Sequence, residues 1–156
     1  MLELINNILV PSKNINEPIV SPDNARIMCY ISLIFAFTAI YAIVRGHYYY
    51  ALIPIIMLIS SLNYWRHPTI GWRRTLDITI VSTFVLIICT VAINNIHGPL
   101  FFLIFSIGLI CYFISYYFYI NNDHERATFM HGVLHMFANM GLILLYATNL
   151  SDPLLP

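Results

Sequence analysis

Five apolar stretches, each long enough to cross a bilayer as a helix, leave this chain few ways to fold. They lie at about residues 26–44, 48–65, 75–93, 99–120 and 124–148. A helix needs roughly 17–25 predominantly apolar residues to traverse the hydrocarbon core. Inside that core each backbone amide must find a partner within the protein, and a helix supplies one for nearly every residue. The pattern predicts an all-α integral membrane protein, a bundle of about five transmembrane helices. Composition agrees, since only 9% of the 156 residues are charged, against about 25% in a soluble domain. No soluble domain and no internal repeat is evident.

The boundaries are marked by residues with known local roles. Ser21-Pro22-Asp23 combines a capping hydroxyl, a proline suited to the first turn and an acid at the positive end of a helix. Arg45-Gly46 closes the same span with a glycine at its C-terminal cap. Tyr48, Tyr49 and Tyr50 at one end of the second span, and Tyr64 and Trp65 at the other, form interfacial belts. Pro54 is expected to kink that span. Asn94–Gly98 is a short turn, Pro99 opens the fourth span, and Asn122 and Glu125 have capping-box spacing before the fifth. Residues 1–25 are expected to be mostly irregular or interfacial, broken by Pro11, Pro18 and Pro22, with no basic leader of the signal-peptide kind. Residues 151–156 form a C-terminal tail.

Alternation of five spans sends Lys13, Arg26, Arg66, Arg73, Arg74 and Arg126 to one side and only Arg45 to the other. The positive-inside rule then puts the N-terminus in the cytoplasm, with Ser12 and Ser151 on opposite sides. The formal net charge is zero, so bulk electrostatics points to no nucleic-acid partner. Membrane lipids and a second copy of the chain are the partners such a bundle would meet. Cys29, Cys89 and Cys111 sit in apolar runs without metal-type spacing and read as packing residues.

Chemistry concentrates in FMHGVLHMFANMG, residues 129–141. His131, His135 and Asn139 recur every fourth residue, so they share one face of a helix that is otherwise apolar. Lipid cannot satisfy that face, which must look at other helices or at water. A second polar edge joins Ser60, Asn63 and His67 at the end of the second span. Asp77 opens the third. Alternation places His67, Asp77, His131, His135 and Asn63 in the same leaflet, while His47 and His97 fall on the far side. Three imidazoles around an open position describe a catalytic zinc centre, with His67, His131 and His135 as ligands. Asp77 would orient or deprotonate the bound water, and Asn63 would polarise a carbonyl. Arg66, Arg73 and Arg74 would hold a lipid headgroup at the mouth. Each also has a plainer role: Asp77 suits a helix N-terminus, Asn63 can bond a neighbouring helix, and the arginines can simply set orientation.

These residues resemble the superfamily of alkaline ceramidases, adiponectin-receptor-like proteins and myomaker-type membrane proteins. That superfamily carries a serine four before a histidine at the end of one span, an aspartate early in the next, and HxxxH in the last. The positions here are Asn63, His67, Asp77, His131 and His135. The resemblance implies a bound zinc and, as in some members, hydrolysis of a lipid amide or ester. The chain departs from it in having five spans where the superfamily has seven, and asparagine where it has serine. HMFANMG is also similar to the HxxxN segment of rhomboid proteases, yet no GxSG motif follows. One histidine of the pair with His67 could ligate a haem, with nothing else in the chain in its support. Two function classes therefore stand: a zinc-dependent intramembrane hydrolase, or a non-catalytic scaffold, receptor or fusion-type protein whose His/Asp cluster is structural or binds a structural metal.

Overall fold

The computed structural model describes residues 18–148 and residue 150. The expectations for residues 1–17 and for the tail at 151–156, with the Ser12 and Ser151 positions, lie outside the described residues. Every regular element within them is a helix: α1 (Pro22–Ser32), α2 (Ile34–Val44), α3 (Tyr48–Trp65), α4 (Trp72–Ile93), α5 (Gly98–Ile120) and α6 (His124–Tyr146). The first span is thus two helices in line, interrupted at Leu33, and it begins at Pro22 rather than near Arg26. The hydroxyl of Ser32 donates to the Met28 carbonyl at 2.8 Å next to the interruption, the kind of back-bonding that bends helices.

Pro22–Val44, α4, α5 and α6 are long and apolar enough to cross a membrane. The remaining member, α3, carries Ser60, Ser61 and Asn63 after a fully buried Pro54. The helices pack in chain order, and α6 closes the circle against α1 and α2. Inside lies a core built on Phe35, Met57, Phe101, Leu142 and Tyr146. Outside, large apolar side chains are bare, with Phe37 and Leu86 each 70% exposed. On α4 only Ile88 and Ala92 are buried. Such a surface suits lipid and no aqueous phase. The chain is an all-α, multi-pass membrane bundle.

Two turns fix the hairpins. After α2, the His47 amide donates to Ala42 and the Gly46 amide to Ile43, at 2.8 and 2.9 Å. This Schellman closure needs the left-handed backbone that Gly46 adopts, with φ 82°. After α5, Asp123 donates to Phe118 and Asn122 to Tyr119 in the same pattern, with Asn122 at φ 60°. Asparagine tolerates that conformation better than most residues. The α6 cap is therefore Asp123, whose carboxylate accepts from the Arg126 amide at 3.1 Å, and not Asn122 as the capping-box spacing predicts. One residue thus ends α5 and starts α6. At the first span Ser21 caps as its sequence predicts, accepting from the Asn24 amide at 3.2 Å.

The ends of the bundle differ. Arg26, Arg66, Arg73, Arg74 and Arg126 belong to the end where α1, α4 and α6 begin and α3 finishes. At the other end Arg45 donates to the Ala147 carbonyl at 2.7 Å and to Tyr146 at 3.3 Å. His47 meets the Thr148 carbonyl at 2.9 Å. Those carbonyls are the ones a helix C-terminus leaves without intrahelical partners.

Candidate functional site

Residues on α6 project inward as their spacing requires. His135 and Asn139 are buried, and the His131 and His135 rings lie 5.2 Å apart between centroids. Each imidazole meets an aromatic partner. His131 lies edge-on to Trp65 at 5.4 Å, and His135 meets Phe35 at the same separation. Asn139 accepts a bond from the Thr38 hydroxyl at 2.5 Å and donates to the His135 carbonyl at 2.8 Å. Nδ1 of His135 is buried and makes no hydrogen bond among the described residues.

Asp77 is half-buried one turn into α4. Its Oδ1 accepts from the hydroxyls of Ser60 at 2.7 Å and Ser61 at 3.2 Å, both buried on α3. A cavity of about 160 Å³ opens beside it at the arginine-rich end. Its walls bring together Asp77 and Arg74 from α4, Tyr64 and Trp65 from α3, Tyr119 from α5 and His131 from α6. Both signs of charge, phenols and an imidazole therefore face one small chamber. It can hold a compact polar group or a few waters, each of which occupies about 30 Å³ in liquid.

His67 is not at that chamber. The helix ends at Trp65, and the chain turns through His67-Pro68, with the His67 amide bonded to the Tyr64 carbonyl at 3.1 Å. Its side chain is exposed and lines a different cavity, beside Cys29 and the start of α1. Trp65 occupies the position next to His131 instead. Among the described residues, no group of three or more His, Cys, Asp or Glu side chains is placed to hold a metal ion. The pair His131–His135 and the carboxylate of Asp77 come to one region, but the third imidazole of a catalytic zinc set does not. This donor arrangement does not fit the zinc centre that the sequence spacing predicts. Asn63 is half-buried near the end of α3.

The arginines also separate. Arg66 lines the cavity of His67, Arg74 lines the chamber of Asp77, and the Arg73 guanidinium stacks 5.5 Å from the Trp72 ring. The residues absent from the sequence-based site are Ser60, Ser61, Tyr64, Trp65 and Tyr119. Ser60 and Ser61 had a signal, two adjacent hydroxyls within a span one turn from Asn63. Tyr64, Trp65 and Tyr119 read as interfacial aromatics, and only the packing turns them inward. Compared with protein-family models, curated proteins and solved structures, the chain matches none.

Proposed function

We propose that this protein is a non-catalytic, receptor- or scaffold-type membrane bundle whose polar residues join its helices and line a small ligand chamber at the cytoplasmic end. The observation that carries the reading is the engagement of Asp77. Its Oδ1 takes hydrogen bonds from both Ser60 and Ser61 across the α3–α4 interface, so the carboxylate acts as a tie between two membrane helices. The two histidines are likewise packed on Trp65 and Phe35. Interhelical hydrogen bonds of this sort are the usual adhesive between membrane helices. The orientation follows from the arginines gathered at the chamber end and the single Arg45 at the other.

The resemblance to the alkaline ceramidase and adiponectin-receptor-like superfamily supplies the second reading, a metal-dependent lipid hydrolase. What favours it is that Asp77 and His131 share one chamber. A metal measurement separates the two. Purified without chelators and dialysed against micromolar zinc, the protein is expected to retain well under one equivalent. Stoichiometric zinc that disappears in His135→Ala, together with lipid amide or ester hydrolysis lost in the same variant, would reverse the assignment in favour of the hydrolase.

A further inference from the structure

The cavity that takes His67 shares only Val20 and Trp65 with the chamber and has a chemistry of its own. It measures about 300 Å³ and lies where the segment before α1 crosses the end of α3. The backbone there is pinned, since the Ile19 amide donates to the Pro68 carbonyl at 2.8 Å and Thr69 to His67 at 2.9 Å. Arg26 enters from the first turns of α1, Arg66 and His67 from the turn after α3. Among the described residues, no acidic side chain lines it. Asp23, on α1, faces Arg26 at 3.6 Å, but both groups are strongly exposed, at 84% and 67%. An exposed pair of that kind holds weakly and exchanges readily for a better anion. The remaining walls are apolar, formed by Pro18, Val20, Pro22, Ala25 and Trp65. The indole N–H of Trp65, a residue 7% exposed, has no hydrogen-bond partner among the described residues.

We infer that this cavity binds the phosphate of an anionic phospholipid, with Arg26 and Arg66 clasping the phosphate oxygens and the proline-rich wall receiving the glycerol end. Two guanidinium groups from separate elements give planar, paired donation that suits phosphate. The start of α1 adds the positive end of a helix to the same corner. A free phosphate offers the same oxygens but has no use for the apolar wall. The position of the cavity, at the helix ends where the arginines gather, is the depth of a lipid headgroup. Neutral lipid lacks the net charge that two arginines favour.

The test uses the full chain in detergent micelles doped with phosphatidylglycerol or phosphatidylcholine, read by native mass spectrometry as retained lipid per protein. Phosphatidylglycerol is expected to be retained and phosphatidylcholine not. Arg26→Gln with Arg66→Gln should reduce retention about thirtyfold, the scale expected from two basic residues near one anion. Arg26→Lys with Arg66→Lys should restore part of it, because charge returns without the fork. A control pair at the same end, Arg73→Gln with Arg126→Gln, removes equal charge outside the cavity and should change retention less than about twofold. Unchanged helicity by circular dichroism establishes that each variant is folded. Equal loss in both pairs, or no loss in the cavity pair, overturns the site. Displacement of the lipid by millimolar inorganic phosphate would keep the anion chemistry and overturn the lipid as its source.

Discussion

The hydroxyl of Thr38 donates to the amide oxygen of Asn139 at 2.5 Å, joining the first and last spans in the middle of the bundle. Both side chains are buried, at 0% and 1% exposure. The amide nitrogen of Asn139 turns back to the His135 carbonyl at 2.8 Å, so both ends of the amide are occupied. This bond closes the circle of helices where no loop does so. It also fixes the rotation of α6, and with it the direction in which His131 and His135 point.

Thr38→Val keeps the shape of the side chain and leaves the Asn139 oxygen without its donor. Membrane interhelical bonds average about 0.6 kcal/mol and reach about 1.7 kcal/mol. A stranded buried acceptor adds to that loss. The expected cost is about 1 kcal/mol in reversible unfolding from bicelles. Thr38→Val combined with Asn139→Leu should cost less than the sum of the two single changes. Strict additivity would show that the bond contributes nothing to closure.

At the chamber, the two serines act through the carboxylate they hold. Removing both donors in Ser60→Ala with Ser61→Ala leaves Asp77 in a half-buried place with less solvation. Hydrogen bonds to charged groups are worth about 1.5–3 kcal/mol, and part of that returns as water enters from the open end. A net loss of about 2 kcal/mol is expected. Adding Asp77→Asn to that background removes the charge and should recover stability. A further loss on adding Asp77→Asn would mean that the carboxylate is held by something other than the serines.

How much of this was legible in the sequence depends on whether the relevant contact runs along the chain or across it. The spans follow from apolar runs, and the closure at Gly46 and the cap at Ser21 follow from residues whose backbone preferences act locally. His67 shows where such reasoning stops. Its placement on one face with Ser60 and Asn63 assumes a helix continuing past Trp65, but the helix ends there and Pro68 turns the chain away. Beyond the last helical residue, the seven-residue step no longer returns to the same face. Which helix lies beside which is equally silent. The pairing of Thr38 with Asn139, or of Trp65 with His131, depends on lateral packing that no spacing within one segment encodes.

Arg45 offers a test of what a lone basic residue on the sparse side is for. Its guanidinium donates to the Tyr146 and Ala147 carbonyls at the end of α6, and a cation at a helix C-terminus typically contributes about 0.3–1 kcal/mol. Arg45→Ala should therefore destabilise the bundle by about 1 kcal/mol while leaving its orientation alone. Arg45→Lys, with the charge but not the fork, should recover only part of the loss. Full recovery by lysine would reduce the contact to simple charge.

The orientation itself is open to a direct measurement on residues that do not contribute to packing. Gly71 lies in the turn between α3 and α4, extended in backbone and with open space around a would-be Cβ. Ile96 lies in the turn between α4 and α5 and is 83% exposed. One span separates them, so they must emerge on opposite sides if α4 crosses the membrane. In a background without Cys29, Cys89 and Cys111, an impermeant maleimide applied to intact cells should label Ile96→Cys. It should label Gly71→Cys only after permeabilisation if the flanking Arg66, Arg73 and Arg74 set that turn in the cytoplasm as proposed. The reverse pattern would keep the fold and invert the molecule, placing both cavities on the outer face. Labelling of both positions in intact cells would remove α4 from the set of spans and, with it, the membrane-embedded setting of Asp77.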